Sequence, residues 1–509
     1  MIPRLHLTIL LHPQESRIGD RVALPEGPSE ISRRTPDFHK PTQVLGKPLG
    51  LPCISRKPFF LIPRAREGVL VKRDEHGTKL RVNGVSLKQE LFVDMTALSR
   101  GVVITLAEHL VLLLHFSDLG AVPRDLPDFG LVGFADEVVR IRHEIQQVAD
   151  LDVPVLIRGE TGVGKELVAQ AIHQHGHRSR RPFITVNLGA LPSTLAAAEL
   201  FGAKRGSFTG ATQDRSGYFV AADSGVLFLD EIGEAPEEVQ AMLLRALETL
   251  EVTPLGGQRP VSVDVRVLAA TDADLERDIQ QQRFKAPLLH RLSGFELLIP
   301  PLRERPEDLG LLFTHFSRGV ERELGIVPAR DSKDPFALPR LPVALMERFV
   351  ANRWSGNIRQ FRNLVRRLHI SNRGREVLEE TPQISRLLDA EINALPLAAP
   401  PSVDVAAKGA KDAAAPKRKP RSIEENELLR AMEDASWEPK VAAEILGISR
   451  ASVYDLIRRG GTLRVANDFS EEELRAAHQR CNGNAAEMSR QLKVSVVALT
   501  RRLRGMGLE

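Results

Sequence analysis

Read from its N-terminus, the chain changes apolar texture several times. Short apolar runs at 5–11, 59–62, 68–72 and 102–116 are separated by Gly, Pro and Asn, which predicts strands and turns with little helix. Residues 1–118 are therefore expected to form an N-terminal β-sandwich. From about 130 a helical period at 139–148 alternates with apolar strands at 153–157, 183–186, 226–229 and 265–270, the signature of a parallel α/β domain over 130–300. Beyond Pro300 and Pro301 the texture is helical and predicts a small α-helical lid over 301–371. Residues 372–421 turn rich in Ala, Pro and Lys, end Lys417-Arg418-Lys419-Pro420-Arg421, and read as a linker. Within 422–509, Leu428, Ala431, Leu446, Ile448 and Ser449 recur at the same spacing as Leu474, Ala477, Leu492, Val494 and Ser495. That repeat implies an all-α domain with two copies of one helical unit.

A chain of 509 residues is too long for one apolar core, in keeping with this multidomain reading. Its net charge of +4 is too small over that length to argue for nucleic acid unless basic residues are locally placed. Cys53 and Cys481 are the only cysteines, so a disulfide framework is not expected and a reducing compartment is. No stretch reaches the roughly 18 apolar residues of a membrane span, and Pro3, Arg4 and His6 make a poor leader. The expectation is a cytoplasmic protein with no membrane partner.

Chemistry enters at Gly159-Glu160-Thr161-Gly162-Val163-Gly164-Lys165-Glu166, which follows a strand and opens a helix. Glycines there let backbone N–H groups close around phosphates, and Lys165 neutralises their oxygens. Glu166 stands where Ser or Thr would ligate magnesium. Further on, the apolar strand 226–229 ends in Asp230 and Glu231; Asp230 suits Mg²⁺ through its water shell and Glu231 can polarise a water. ATP and Mg²⁺ are the expected cofactors. Between these motifs lies Gly206-Ser207-Phe208-Thr209-Gly210-Ala211, which nucleotide hydrolysis alone does not require. His173, His175 and His177 invite a metal reading, but Gly176 ends their helix and no further ligand stands near in sequence.

Together with Glu199-Leu200-Phe201-Gly202 and Gly217-Tyr218-Phe219, these motifs resemble the AAA+ domain of bacterial enhancer-binding proteins, the activators of sigma-54 RNA polymerase. The resemblance runs from about 130 to 371. It implies that Asn187 engages Glu231 according to nucleotide state, that Arg359 in Trp354-Ser355-Gly356-Asn357-Ile358-Arg359 contacts bound nucleotide, and that Arg291 reaches a neighbouring subunit's γ-phosphate. A homo-oligomer, from dimer to hexameric ring, follows from that last role. Phe208 and Thr209 would contact sigma-54. Lys285, Pro287, Asp272, Ala203 and Ser207 depart from the family pattern, and Pro287 is expected to disturb a helix interior.

In the C-terminal repeat, the segment 442–454 has the texture of a helix-turn-helix with Gly447 at the turn and Ser449 as N-cap. Its second helix would offer Arg450, Ser452, Tyr454, Arg458 and Arg459 to double-stranded DNA. The second copy carries Arg501 and Arg502, resembles the Fis-type domain common in that family, and has Lys493 where the first has its turn glycine. At the other end, Ser32-Arg33, Ser55-Arg56 and Val82-Asn83-Gly84 give residues 1–118 a resemblance to forkhead-associated domains, which implies a phosphothreonine site at Arg33, Ser55 and Arg56 for a partner protein or the chain's own phosphopeptide. The combined expectation is a sigma-54-dependent transcription activator; the alternative is a DNA-binding regulator whose AAA+ domain is impaired in hydrolysis.

Overall fold

The computed structural model describes residues 4–64, 67–118, 126–207, 213–326 and 338–392, with scattered positions between 428 and 503. The chain divides into two compact units, Met1–Val403 and Asp404–Glu509. Among the described residues, no helix is long and apolar enough to cross a membrane.

The first unit begins with two antiparallel sheets built from β1 (Arg4–Leu11), β2 (Arg21–Ala23), β3 (Ser29–Ile31), β4 (Phe59–Arg64), β5 (Gly68–Arg73), β6 (Leu80–Val82), β7 (Val85–Ser86), β8 (Glu90–Asp94), β9 (Val102–Leu106) and β10 (Leu110–Ser117). Their orders are β2-β1-β10-β9-β6-β7 and β3-β4-β5-β8. Leu7, Ile9, Leu112 and Leu114 of the larger sheet share one core with Phe59, Leu61, Val69 and Val71 of the smaller. Helix α1 (Met95–Arg100) starts at Asp94, whose carboxylate accepts the Ala97 N–H, an ordinary N-cap.

The alternate positions Leu10, Leu11, Val103, Val111 and Leu113 face the other way, into the core of the lid with Leu309, Leu312, Phe313, Met346 and Phe349. This is why β10 is apolar without alternation: both its faces are covered. A β-carbon on Gly310 would overlap the Leu10 carbonyl oxygen, so only glycine allows this approach. At the rim, Arg81 Nη2 lies 3.0 Å from Glu347 Oε1, and the Thr105 hydroxyl donates to the same carboxylate.

After α2 (Asp136–Val148), the central domain is a five-stranded parallel sheet. It contains β11 (Val155–Arg158), β12 (Phe183–Asn187), β15 (Val226–Asp230), β18 (Arg266–Thr271) and β19 (Phe295–Leu298), in the order β12-β15-β18-β11-β19. Two short ribbons lie outside it, β13 (Gly202–Ala203) with β14 (Arg215–Ser216), and β16 (Glu251–Val252) with β17 (Val261–Ser262). Helices α2 and α3 (Lys165–His175) cover one face through Ile145, Val168 and Ile172. On the other face α4 (Ser193–Phe201), α6 (Glu237–Thr249) and α8 (Ala286–Leu292) pack Leu200, Leu243 and Leu288; the small helices α5 (Tyr218–Ala221) and α7 (Leu275–Gln280) complete the layer. Pro287 does not disturb a helix interior. Helix α8 begins at Ala286, so the proline sits in its first turn, where a missing N–H costs no intrahelical bond.

The lid comprises α9 (Leu309–Leu324), α10 (Val343–Ala351), α11 (Asn357–Ser371) and α12 (Pro382–Ile392). It continues past 371, where a linker was expected, because Leu378, Ile384 and Leu388 are buried in the core shared with Trp354 and Phe361. The linker's remaining part, beyond 392, lies outside the described residues.

The second unit holds two small cores, one from Leu428, Met432, Trp437, Ala442, Leu446, Val453 and Ile457, the other from Phe469, Leu474, Ala477, Met488, Val494, Leu499 and Leu503. Lys493 takes a left-handed φ of 56° at its turn, a conformation that a side chain adopts at some cost.

Candidate active site

The site lies at the C-terminal ends of the parallel strands, where an open α/β sheet places ligands. Gly162 and Gly164 have φ of 80° and 107°, and Gly164 caps α3 in the left-handed region. The loop therefore curls ahead of a helix whose first-turn N–H groups lack intrahelical partners. Lys165 Nζ folds onto the loop, donating to the carbonyls of Gly159 at 2.8 Å and Glu160 at 3.3 Å. Burial lowers its pKa, while the charges of Asp272, Asp230 and Glu231 push it back up. This set fits a phosphate chain with its counter-cation. Lys165 and the loop amides would hold the phosphates, Asp230 a hydrated Mg²⁺.

β12 and β15 run in register so that Asn187 faces Asp230, which brings the expected switch beside the acidic pair. Asn187 Oδ1 accepts the Ala190 N–H at 3.0 Å, and the Glu231 carboxylate lies against Gly189. Glu231 has φ of 56°, a strained backbone of the kind that marks functional sites. Asp272, at the end of β18, accepts a hydrogen bond from the Thr161 hydroxyl. Arg359 is exposed, and its charge depresses the pKa of Lys165; its N–H donates to the Gly162 carbonyl at 3.2 Å.

Arg291 does not point at this chain's own phosphate loop. Its Nε and Nη2 donate to the Leu247 carbonyl at 3.1 and 2.9 Å, capping the last turn of α6. Lys285 pairs with Glu237 at 2.7 Å. The histidines at 173, 175 and 177 take separate partners, the carbonyl of Arg181, the carbonyl of Ala171 and the carboxylate of Asp152.

Sequence reasoning missed a small apolar cleft of about 70 Å³ beside the loop. Leu131, Val132, Val163, Ile299, Phe316 and Ile358 line it, a lining of apolar character. The missed signal is the apolar stretch 129–134, which belongs to no regular element.

Residues 131–298 match the model of the Sigma-54 interaction domain, and 303–383 that of the AAA+ ATPase lid domain. The chain is also similar to the response regulator protein PilR of Pseudomonas aeruginosa, 36% identical over 334 residues that cover 66% of this chain and 70% of that one. The chain belongs to the sigma-54 activator family. Other relatives of this kind are the regulatory protein LuxO of Vibrio cholerae, 41% identical over 48% of this chain and 44% of its own, and the nitric oxide reductase transcription regulator NorR1 of Cupriavidus necator, 38% identical over 67% and 65%. The chain spans less than two thirds of the length of these two. Its central domain is an AAA+ ATPase domain.

In this member of the family the described residues 204–207 and 213–214 adjoin the β13–β14 ribbon. Lys204 Nζ and the Arg205 N–H both bind Asp214, at 2.7 and 2.9 Å, which closes the loop at its base. The Lys204 N–H donates to the Leu255 carbonyl at 2.9 Å, and a β-carbon on Gly256 would meet that of Ser207 at 2.8 Å. The loop base thus leans on the turn between β16 and β17. Phe208 and Thr209 lie outside the described residues, as do Arg450, Ser452, Tyr454, Arg458, Arg459 and Arg501. Arg502 is half-buried. In the N-terminal sheets, the Arg33 N–H donates to the Ser55 carbonyl at 3.1 Å, joining the two loops that carry the expected phosphate-binding residues, and Arg56 is exposed beside them.

Proposed function

We propose that the chain binds an upstream DNA site, assembles into an oligomer, and uses ATP hydrolysis to drive Phe208 and Thr209 against sigma-54 so that the polymerase opens its promoter. The observation that carries this reading is the loop 204–214, closed at its base by Asp214 and set in a matched Sigma-54 interaction domain. In the working cycle Lys165 and the loop amides hold the phosphates, Asp230 holds Mg²⁺ through water, and Glu231 polarises the attacking water. Asn187 reports the state of the γ-phosphate to Glu231, Arg359 senses nucleotide from the lid, and Arg291 leaves its Leu247 cap to serve the neighbouring subunit. A guanidinium supplied in trans makes turnover depend on assembly. The C-terminal repeat reads DNA, and Arg33, Ser55 and Arg56 take a phosphothreonine that regulates the motor.

A second reading, a DNA-binding regulator with impaired hydrolysis, draws on the Thr161–Asp272 hydrogen bond, which puts an extra carboxylate beside the phosphate loop. ATPase and open-complex assays with sigma-54 polymerase separate the two. The activator reading expects wild type to hydrolyse ATP and open promoters, and Thr209→Ala to hydrolyse without opening. Absence of hydrolysis in wild type at every protein concentration supports the second reading.

A further inference from the structure

The phosphate loop is fastened by side chains to the lid's entry and to the start of its helix α11. Glu160 receives a two-pronged contact from Arg303, Nη1 to Oε2 at 2.9 Å and Nη2 to Oε1 at 2.7 Å, at the lid's entry. Asn357, fully buried at the start of α11, joins in. Its Nδ2 donates to Glu160 Oε2 at 3.0 Å and to the Thr161 carbonyl at 3.1 Å, while its Oδ1 accepts the Leu302 N–H at 2.8 Å. One amide thus spans lid entry, lid helix and phosphate loop. Asn357 is held at φ of 51°, a conformation asparagine tolerates better than most residues. A β-carbon on Gly162 would come within 2.5 Å of the Gly356 carbonyl oxygen, so the two backbones are in contact there.

The same residue reaches the catalytic lysine. The backbone carbonyl of Glu160 accepts from Lys165 Nζ, and Arg359 follows Asn357 by two positions on the lid helix. The Glu160 and Arg303 side chains are 41% and 40% exposed; a pair so open to water adds little stability by itself. Its two-pronged geometry instead fixes direction.

We infer that Glu160, Arg303 and Asn357 are positioning residues that tie the shape of the phosphate loop to the orientation of the lid, so that ATP affinity depends on lid position. Closing the lid on a nucleotide carries Asn357 and Arg303 with it and draws the loop into its phosphate-holding form. Loosening any of the three leaves the loop folded but less firmly tied to the lid, with only the backbone contacts of Gly162 remaining in full. Arg303 is not replaceable by lysine in this role, because an ammonium offers no planar fork.

The inference rests on the proposed ATP-binding role of this loop. The test is titration of full-length protein with a fluorescent ATP analogue, with KM and kcat for ATP measured beside it, in wild type, Glu160→Gln, Arg303→Met, Arg303→Lys and the Glu160→Gln/Arg303→Met double variant. Each single variant is expected to raise Kd and KM about tenfold while kcat and the melting temperature stay near wild type. The double variant should be no worse than the worse single, since both remove one unit. Wild-type affinity in both singles, additive losses in the double, or a fall confined to kcat overturns the inference. A wild type that binds no ATP overturns the functional reading itself and this inference with it.

Discussion

Glu231 folds back so that its carboxylate occupies the space a β-carbon on Gly189 would need, with Asn187 Oδ1 3.4 Å from that same point. The absence of a side chain at 189 is therefore what lets Glu231 sit beside its expected switch partner. Gly189→Ala should expel the carboxylate from this position. ATP binding is expected to persist while hydrolysis falls by about 100-fold, the usual cost of displacing a catalytic base. A variant that turns over ATP at the wild-type rate would show that Glu231 works from elsewhere.

The shared core of the N-terminal sheets and the lid predicts that the two do not separate. Leu10, Val111 and Leu113 face Leu312, Phe313 and Phe349, and Arg81 meets Glu347 at the rim. A protease site inserted between 118 and 126 should be cut without release, the two pieces staying together on gel filtration. Leu113→Asp buries an uncompensated charge in that interface and should release them after cutting. Pieces that part in the otherwise wild-type protein would contradict a built-in contact.

His369 is buried in the lid, stacked near Phe313, with neither ring nitrogen hydrogen-bonded. Burial lowers its pKa from 6.5 to about 4. The folded lid then binds fewer protons than the unfolded chain in this window, so its stability is complete above 6.5 and is lost as pH falls toward 4. The loss from this one group is on the order of 3 kcal/mol. His369→Leu should lose less stability than wild type between pH 6.5 and 4, measured by thermal melting at each pH. Parallel melting curves would place the imidazole in water.

Much of the motor was legible because its chemistry is local. Gly159 to Glu166 and the strand ending at Asp230 announce themselves by residue type and order. The facing of Asn187 and Asp230 depends on strand order and register, which no local pattern records. Arg291 was read for its role in trans, but its present bond to Leu247 joins helices distant in sequence. Pro287 was misread because its effect turns on where α8 begins, one residue earlier. The apolar run Leu110-Val111-Leu112-Leu113-Leu114 did carry a signal that was passed over: a strand with no polar alternation is covered on both faces, and here the second cover is the lid.

The central claim is that ATP hydrolysis in this chain opens a sigma-54 promoter. Its most direct test is chemical footprinting of single-stranded thymines near the start site, with sigma-54 polymerase, full-length protein and either ATP or a non-hydrolysable analogue. The account predicts reactive thymines with ATP alone, and none with Thr209→Ala although that variant still consumes ATP. Equal opening with the analogue, or with Thr209→Ala, would contradict it.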